Sequence, residues 1–174
     1  TSEGNNGYTP LHFAANLGRF KFVELLLQHP RVKINKADKE GRTPLCSVIT
    51  TTAQGPGSLE CFKLLLKVKE IDVNKATTSE GHEGCTPLHW AANLGRFKYV
   101  ELLLQHPRVK INQADEDGNT PLCSAIRTQS PGSGPFECFK LLLEVKDIDV
   151  NKATTYEGRV GWTPLHWAAN MGRF

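Results

Sequence analysis

The chain has 174 residues, of which 39% are hydrophobic and 22% are charged, and its formal net charge is +3. This is the composition of an ordinary soluble globular protein. No apolar run approaches the roughly 18 residues that would cross a bilayer, and Lys and Arg alternate with Asp and Glu instead of clustering, so we expect neither membrane insertion nor nucleic-acid binding.

The first predicted element is a short helix that begins at Thr9 and Pro10. A threonine oxygen caps free amides at a helix start, and proline is tolerated in the first turn. The following segment, LHFAA, contains small residues that permit close packing. Gly18 ends the helix, because glycine adopts the left-handed conformation at low cost.

A second helix is predicted over residues 20–27, FKFVELLL, and Pro30 stops it. Its sequence is apolar enough to be buried against neighbours on both sides. Residues 32–35 then alternate apolar and polar side chains, and a turn at 39–41 leads to the next Thr-Pro pair. Because one such unit has an apolar face on each side, units must stack into an elongated solenoid.

This unit recurs along the whole chain. Thr-Pro-Leu begins at residues 9, 43, 86, 120 and 163, with spacings of 34, 43, 34 and 43 residues. A short and a long step together make 77 residues, and residues 1–77 align with 78–154 without a gap, with 58 identical and 19 different positions. The predicted repeats are 7–40, 41–83, 84–117, 118–160 and a partial 161–174, which form the double-repeat units 1–77, 78–154 and a partial 155–174.

The segments TPLHFAANLG, TPLHWAANLG and TPLHWAANMG, with VELLLQHPRVKIN and CFKLLLKVKEIDVN, resemble the ankyrin repeat across essentially the whole chain. The resemblance implies an all-α solenoid of stacked antiparallel helix pairs with β-hairpin or finger loops. It also implies a non-catalytic role in binding other proteins. The motif residues are Thr9, Pro10, Leu11, His12, Thr86, Pro87, Leu88, His89, Thr163, Pro164, Leu165 and His166.

Every second repeat departs from the short pattern. At Cys46 and Cys123, TPLC replaces TPLH, and these steps are nine residues longer. Five of the extra residues lie between the two helices and four lie in the finger, as in KATTSEGHEGC at 75–85. We therefore expect a longer finger and a longer inter-helix loop, on the opposite rim, in alternate repeats.

The resemblance places partner contacts at finger tips, at the residue before Thr-Pro and at the exposed end of the first helix. The candidates at these places are Tyr8, Asn16, Leu17, Asp38, Lys39, Glu40, Arg42, Glu80, His82, Glu83, Cys85, Asn93, Leu94, Glu116, Asp117, Asn119, Arg159 and Trp162. Aromatic and arginine side chains dominate interface energetics, which favours Tyr8, Arg42 and Trp162. The alternative is that Tyr8 and Trp162 brace their own fingers.

Equivalent short fingers differ in charge. The finger at 36–42, KADKEGR, sums to +1, whereas the finger at 113–119, QADEDGN, sums to −3. The change indicates either different partners for the two units or drift on a solvated loop.

No residue pattern predicts catalysis. In ankyrin repeats the histidine of Thr-Pro-Leu-His ties adjacent loops by hydrogen bonds, which makes His12, His89 and His166 structural. The glycines fall at turns and helix ends, and the chain contains no phosphate-binding loop, nucleophile elbow or paired-carboxylate motif. We expect no catalytic residue and no cofactor.

Five cysteines without a CxxC pair argue against both a disulfide framework and a zinc site, and favour a reducing, intracellular compartment. The pair His82 and Cys85 has the spacing of a partial metal site, but the other long fingers do not repeat it, so no metal is expected. Four cysteines are expected to be buried, unreactive thiols in helices: Cys46, Cys61, Cys123 and Cys138.

Two functions fit this sequence. In the first, the chain is a segment of a longer array that serves as a binding scaffold for other proteins. In the second, near-identical units continue many times and form an extracellular fibre through stacking or lateral contacts between copies. The chain ends at Phe174, before the second helix of that repeat, which favours a longer array in both cases. We take the scaffold as the main hypothesis.

Overall fold

The computed structural model describes residues 6–52, 56–128 and 132–171. The regular secondary structure of these residues consists of nine helices. They are α1 Pro10–Asn16, α2 Phe20–Leu27, α3 Pro44–Thr50, α4 Pro56–Leu66, α5 Pro87–Asn93, α6 Phe97–Leu104, α7 Pro121–Arg127, α8 Gly134–Leu143 and α9 Pro164–Met171. Within the described residues, none of these helices combines the length and the apolar content that crossing a bilayer requires.

Threonine determines where the first helix of each repeat begins. The side-chain oxygens of Thr9, Thr43, Thr86 and Thr120 accept the backbone N–H three residues ahead, at 3.4–3.5 Å. Proline takes the first helical position, where its missing N–H costs nothing. At the other end of α1, Gly18 has a φ of 64° and ends the helix as expected.

The helices form two parallel rows. The first helices α1, α3, α5, α7 and α9 pack side by side, and the second helices α2, α4, α6 and α8 form the other row. One hydrophobic core runs between the rows, from Leu11 in α1 to Leu142 in α8. The expected all-α repeat solenoid is therefore confirmed.

The second helices are not all buried on both sides, so this expectation is wrong for α2. Phe22 is 59% exposed and Leu25 is 64% exposed, whereas the equivalent Tyr99 of α6 is 4% exposed. The difference arises because α4 covers α6, and the ring of Phe62 meets Tyr99 edge-on at 4.8 Å. Among the described residues, no helix lies in the corresponding place over α2.

The backbones of neighbouring repeats approach very closely where α4 and α8 begin. A Cβ atom added to Gly57 would lie 2.0 Å from the carbonyl oxygen of Gly18, and one added to Gly134 would lie 2.5 Å from that of Gly95. In each pair, a second helix begins against the end of the preceding repeat's first helix. Only glycine permits this approach without moving backbone.

A histidine in each short repeat ties that repeat to the next. The backbone N–H of Thr9 donates to Nδ1 of His12 at 3.1 Å, which leaves the ring proton on Nε2. Nε2–H then donates to the carbonyl of Arg42 in the following repeat at 3.0 Å. His89 repeats these contacts and donates to the carbonyl of Asn119 at 3.0 Å.

Asparagines between the second helices and the fingers form another set of ties. The side-chain amide of Asn35 donates to the carbonyl of Glu70 at 2.7 Å, and its oxygen accepts the N–H of Asp72 at 2.9 Å. Asn74 and Asn112 make the same two bonds to the next repeat. Each short repeat is thus joined to the next at both the histidine and the asparagine, and the long repeat 41–83 is joined to the next at Asn74.

Gly57→Ala is predicted to destabilise the protein by about 1–3 kcal/mol, the usual cost of forcing atoms into a packed site. Helix propensity alone predicts the opposite sign, because alanine favours helix over glycine. Urea unfolding monitored by circular dichroism distinguishes the two. Ser133→Ala, next to α8 but outside the close approach, is the control and should change stability by less than about 0.5 kcal/mol. An unchanged or raised stability for Gly57→Ala would contradict the contact.

The free energy of unfolding is predicted to fall as the pH drops below about 6.5. Desolvation by burial lowers the pKa of His12 and His89 in the folded state below 6.5, against the raising effect of the carbonyls that they contact. The unfolded chain therefore binds more protons from about pH 6.5 down to the folded pKa values, and stability is lost across that window.

His89→Cys tests this assignment, because cysteine occupies the same position of the alternate repeats. At pH 7 the variant should lose about 1–3 kcal/mol, since the carbonyl of Asn119 loses its buried donor. Between pH 7 and pH 5.5, the free energy of unfolding of the variant should also fall less than that of the unsubstituted protein. Denaturant titrations at both pH values measure this, with exposed His29→Gln as the control. A variant with the full pH dependence would show that His89 is not its source.

Candidate interaction groove

The fingers are held in a row by backbone hydrogen bonds between neighbouring repeats. Lys39 donates its N–H to the carbonyl of Asn6 at 2.9 Å, and Thr78 donates to Glu40 at 3.1 Å. The next links, at 2.8–3.1 Å, run from Glu116 to Glu83 and from Thr155 to Asp117. This row faces the first helices, and we call the space between them the groove.

We call residues 1–77 unit 1. Its short finger contains an arginine, Arg42, each of whose three side-chain nitrogens has a partner. Arg42 Nε donates to the carboxylate of Asp38 at 3.0 Å, and Nη1 lies 2.9 Å from that of Glu40. Its Nη2 donates to the hydroxyl of Tyr8 at 2.9 Å. Asp38 also accepts the backbone N–H groups of Glu40 and Arg42, so one carboxylate holds both the turn and the cation.

We call residues 78–154 unit 2. The positions equivalent to Tyr8, Asp38, Glu40 and Arg42 contain Cys85, Asp115, Asp117 and Asn119. The carboxylate of Asp115 still holds the turn, accepting the N–H of Asn119 at 2.7 Å, and the amide of Asn119 donates to both its oxygens at 3.1 Å. Cys85 Sγ lies 3.9 Å from the same carboxylate. Burial, and then the charge of Asp115, raises the pKa of Cys85 to about 12, so the thiol is protonated at neutral pH.

A pocket of about 160 Å³ opens between this finger, α5 and α7. We call it the central pocket. It is lined by His82, Cys85, Asp115 and Asp117 from the fingers and by Trp90 and Arg127 from the helices. The rings of His82 and Trp90 stack with centroids 4.6 Å apart. The pocket therefore combines an aromatic wall with carboxylates and polar donors.

The last long finger contributes a stack of arginine and tryptophan side chains. The guanidinium of Arg159 lies 4.7 Å from the ring of Trp162 and 4.6 Å from that of Trp167. Arg127 lies 4.5 Å from the ring of Trp167. The two tryptophans meet edge-on at 5.0 Å, so the half-buried Trp162 and Arg159 pack over the buried Trp167 at this end of the groove.

The structure distributes the candidate contact residues over these three places. Tyr8, Asp38, Glu40 and Arg42 form one network. The central pocket contains His82, Cys85, Asn93 and Asp117. The Arg159 and Trp162 pair lies in the stack. Lys39, Glu80 and Glu116 are exposed, as is Leu17 at the end of α1; Asn16, Glu83 and Leu94 are half-buried.

Two of the candidates differ from the rest, because the fold buries them. Asp38 is 8% exposed and Asn119 is 1% exposed, so both side chains serve the finger turn rather than the surface. Tyr8 and Trp162 pack on the first helix of their repeat, yet both are half-buried. The contacts that would brace a finger are thus present, and part of each ring faces solvent.

Trp90, Asp115, Ser124 and Arg127 also line the central pocket, and sequence reasoning did not identify them. A signal existed for two of them, because Trp90 replaces Phe13 of unit 1 and Arg127 replaces a threonine. Their proximity depends on how α5 and α7 pack, which the pattern of one repeat does not show.

Burial favours the neutral forms of the buried histidines and of Cys46 and Cys138. Both ring nitrogens of His12 and His89 are hydrogen-bonded, and burial raises the pKa of Cys46 to about 11 and that of Cys138 to about 12. No group of three or more His, Cys, Asp or Glu side chains in residues 6–52, 56–128 and 132–171 is placed to hold a metal ion. The groove is equipped for recognition through charge, hydrogen bonds and aromatic surface.

Comparison with known families gives consistent matches. A model of ankyrin repeats in three copies matches residues 1–77 and 49–154, and a model of a single ankyrin repeat matches residues 160–174. Human inversin is 34% identical over 168 residues, which cover 94% of this chain and 14% of inversin.

Two further relatives are similar. Alpha-latrotoxin-Lg1a of Latrodectus geometricus is 36% identical over 124 residues, 71% of this chain and 8% of the toxin. The nuclear factor NF-kappa-B p105 subunit of Gallus gallus is 32% identical over 178 residues, 95% of this chain and 17% of that protein. The chain thus spans between 8% and 17% of the length of these relatives.

Proposed function

Because this chain belongs to the ankyrin repeat family, whose repeats are generally protein–protein interaction modules, we propose that it is a non-catalytic binding scaffold and a segment of a longer array. The groove is its binding surface, and other proteins are its partners. The fingers supply charge, and the first helices supply the aromatic floor.

The observation that carries this proposal is the pair of arginine and tryptophan side chains in the groove. Arg159 and Trp162 are half-buried, and the guanidinium lies 4.7 Å from the ring. Tryptophan and arginine are the residue types that most often dominate interfaces.

The fibre is a second candidate, which the near-identity of the two units favours. Residues 1–77 and 78–154 share 58 identical positions. A contact that one unit makes with another copy could therefore recur along a filament.

Trp162→Ala is predicted to weaken groove ligands by about 10- to 100-fold, which corresponds to roughly 1.4–2.8 kcal/mol. The ligands are peptides selected from a random display library against the intact chain, with affinities measured by calorimetry. Glu101→Ala, on the exposed side of α6, is the control and should leave affinity unchanged. Circular dichroism verifies that both variants fold. If the peptides bind Trp162→Ala with unchanged affinity but bind Glu101→Ala more weakly, the binding site lies outside the groove.

Sedimentation velocity separates the scaffold from the fibre. The scaffold proposal predicts a single species from about 1 to 100 µM, the concentrations at which weak contacts of the micromolar class become visible. Growth into large assemblies whose size changes with salt concentration would instead favour the fibre.

A further inference from the structure

The two double-repeat units have carboxylates at the same finger positions, but only unit 1 has a cation beside them. In unit 1, the guanidinium of Arg42 lies between Asp38 and Glu40, at 3.0 and 2.9 Å. In unit 2, the equivalents of the two acids are Asp115 and Asp117, and the equivalent of Arg42 is Asn119. The second finger has therefore kept both negative charges and lost the cation that neutralises them.

The rest of unit 2 does not replace that cation. Among the described residues, no cationic nitrogen lies within 4.0 Å of the carboxylate oxygens of Asp115 or Asp117. Arg127 lines the same pocket, but its guanidinium stacks on Trp167 at 4.5 Å. The carboxylate of Asp115 receives only neutral donors, from Asn119 and more distantly from Cys85.

An unpartnered polar atom accompanies this loss. Asn119 is 1% exposed, and its side-chain oxygen has no hydrogen-bond donor among the described residues. The amide cannot be turned around, because its NH₂ group already donates to both oxygens of Asp115, at 3.1 Å. The groups that can meet a cationic donor in the central pocket are the carboxylates of Asp115 and Asp117, which line it.

The space needed for such a donor is present. The central pocket, of about 160 Å³, includes Asp115, Asp117 and the wall formed by Trp90. A cavity of about 10–15 Å³ holds one water molecule, so this pocket has room for the end of one long side chain. Its remaining lining contributes the thiol of Cys85 and the ring of His82.

We propose that the central pocket binds the guanidinium of an arginine side chain from a partner protein, which supplies in trans the cation that Arg42 supplies within unit 1. The inference rests on the proposed function of the groove as a protein-binding surface. Arginine is preferred to lysine, because the two acids of unit 1 are met by different nitrogens of one planar group, Nε and Nη1. A point charge such as an ammonium cannot reproduce that geometry.

The test titrates the intact chain with the peptide acetyl-Gly-Gly-Arg-Gly-Gly-amide. Two matched peptides replace arginine by citrulline, its neutral isostere, or by lysine. The three tryptophans give three indole N–H signals in a ¹⁵N correlation spectrum, and that of Trp90 reports on the pocket. We expect saturable shifts of the Trp90 signal with the arginine peptide, at least tenfold weaker binding of the citrulline peptide and several-fold weaker binding of the lysine peptide.

Matched variants of the two units locate the site. Asp117→Asn should lower the affinity for the arginine peptide about tenfold. Glu40→Gln, the equivalent change in unit 1, should leave the affinity of the pocket unchanged. Asn119→Arg should abolish binding, because the chain then fills its own pocket as unit 1 does. Arg42→Asn should add a second binding site. Thermal unfolding verifies that each variant is folded.

Equal binding of the arginine and citrulline peptides, or full binding by Asp117→Asn, would overturn the proposal. Equal binding of the arginine and lysine peptides would overturn the guanidinium assignment. These outcomes are distinct from failure of the proposed function, because ligands selected for sensitivity to Trp162→Ala would still bind the groove through the tryptophan stack. Weaker binding of the arginine peptide by Asp117→Asn, together with loss of binding by Asn119→Arg, supports the assignment.

Discussion

The contact between neighbouring repeats is the constraint on which the rest of this structure depends. A single pair of helices has more apolar surface than it can bury alone, so the core forms only when the pairs stack. The close approach of Gly57 to Gly18 sets how near two repeats lie. The bond from His12 to the carbonyl of Arg42 then positions the next finger. The groove is a consequence of this stacking, because each finger takes its place from the repeat before it.

This architecture allows charge to vary without disturbing the fold. Asp38 and Asp115 hold their finger turns in the same way, through backbone N–H groups that either sequence supplies. The cation beside them is not needed for the turn, so Arg42 of one unit can be Asn119 in the other. The repeated backbone thus presents different electrostatic surfaces at equivalent places.

Sequence reasoning predicted the elements well and the groove only in part. The helix start at Thr9 and the helix end at Gly18 are local effects of capping and backbone freedom, so they were readable from a few residues. The burial of Asp38 and the exposure of Phe22 were not predicted, because both depend on which element lies opposite. The finger positions predicted charged tips, but a position in a motif does not say whether a side chain points outward or into its own turn.

What the sequence by itself determined is the repeat, its alternation of 34 and 43 residues and the family that follows from them. These features are encoded in residues that act within a turn or two of the chain. Only the tertiary structure decided that Asp115, Asp117, Trp90 and Arg127 share one pocket. Those residues lie up to 37 positions apart, and their distances depend on how two repeats pack, which no local pattern specifies.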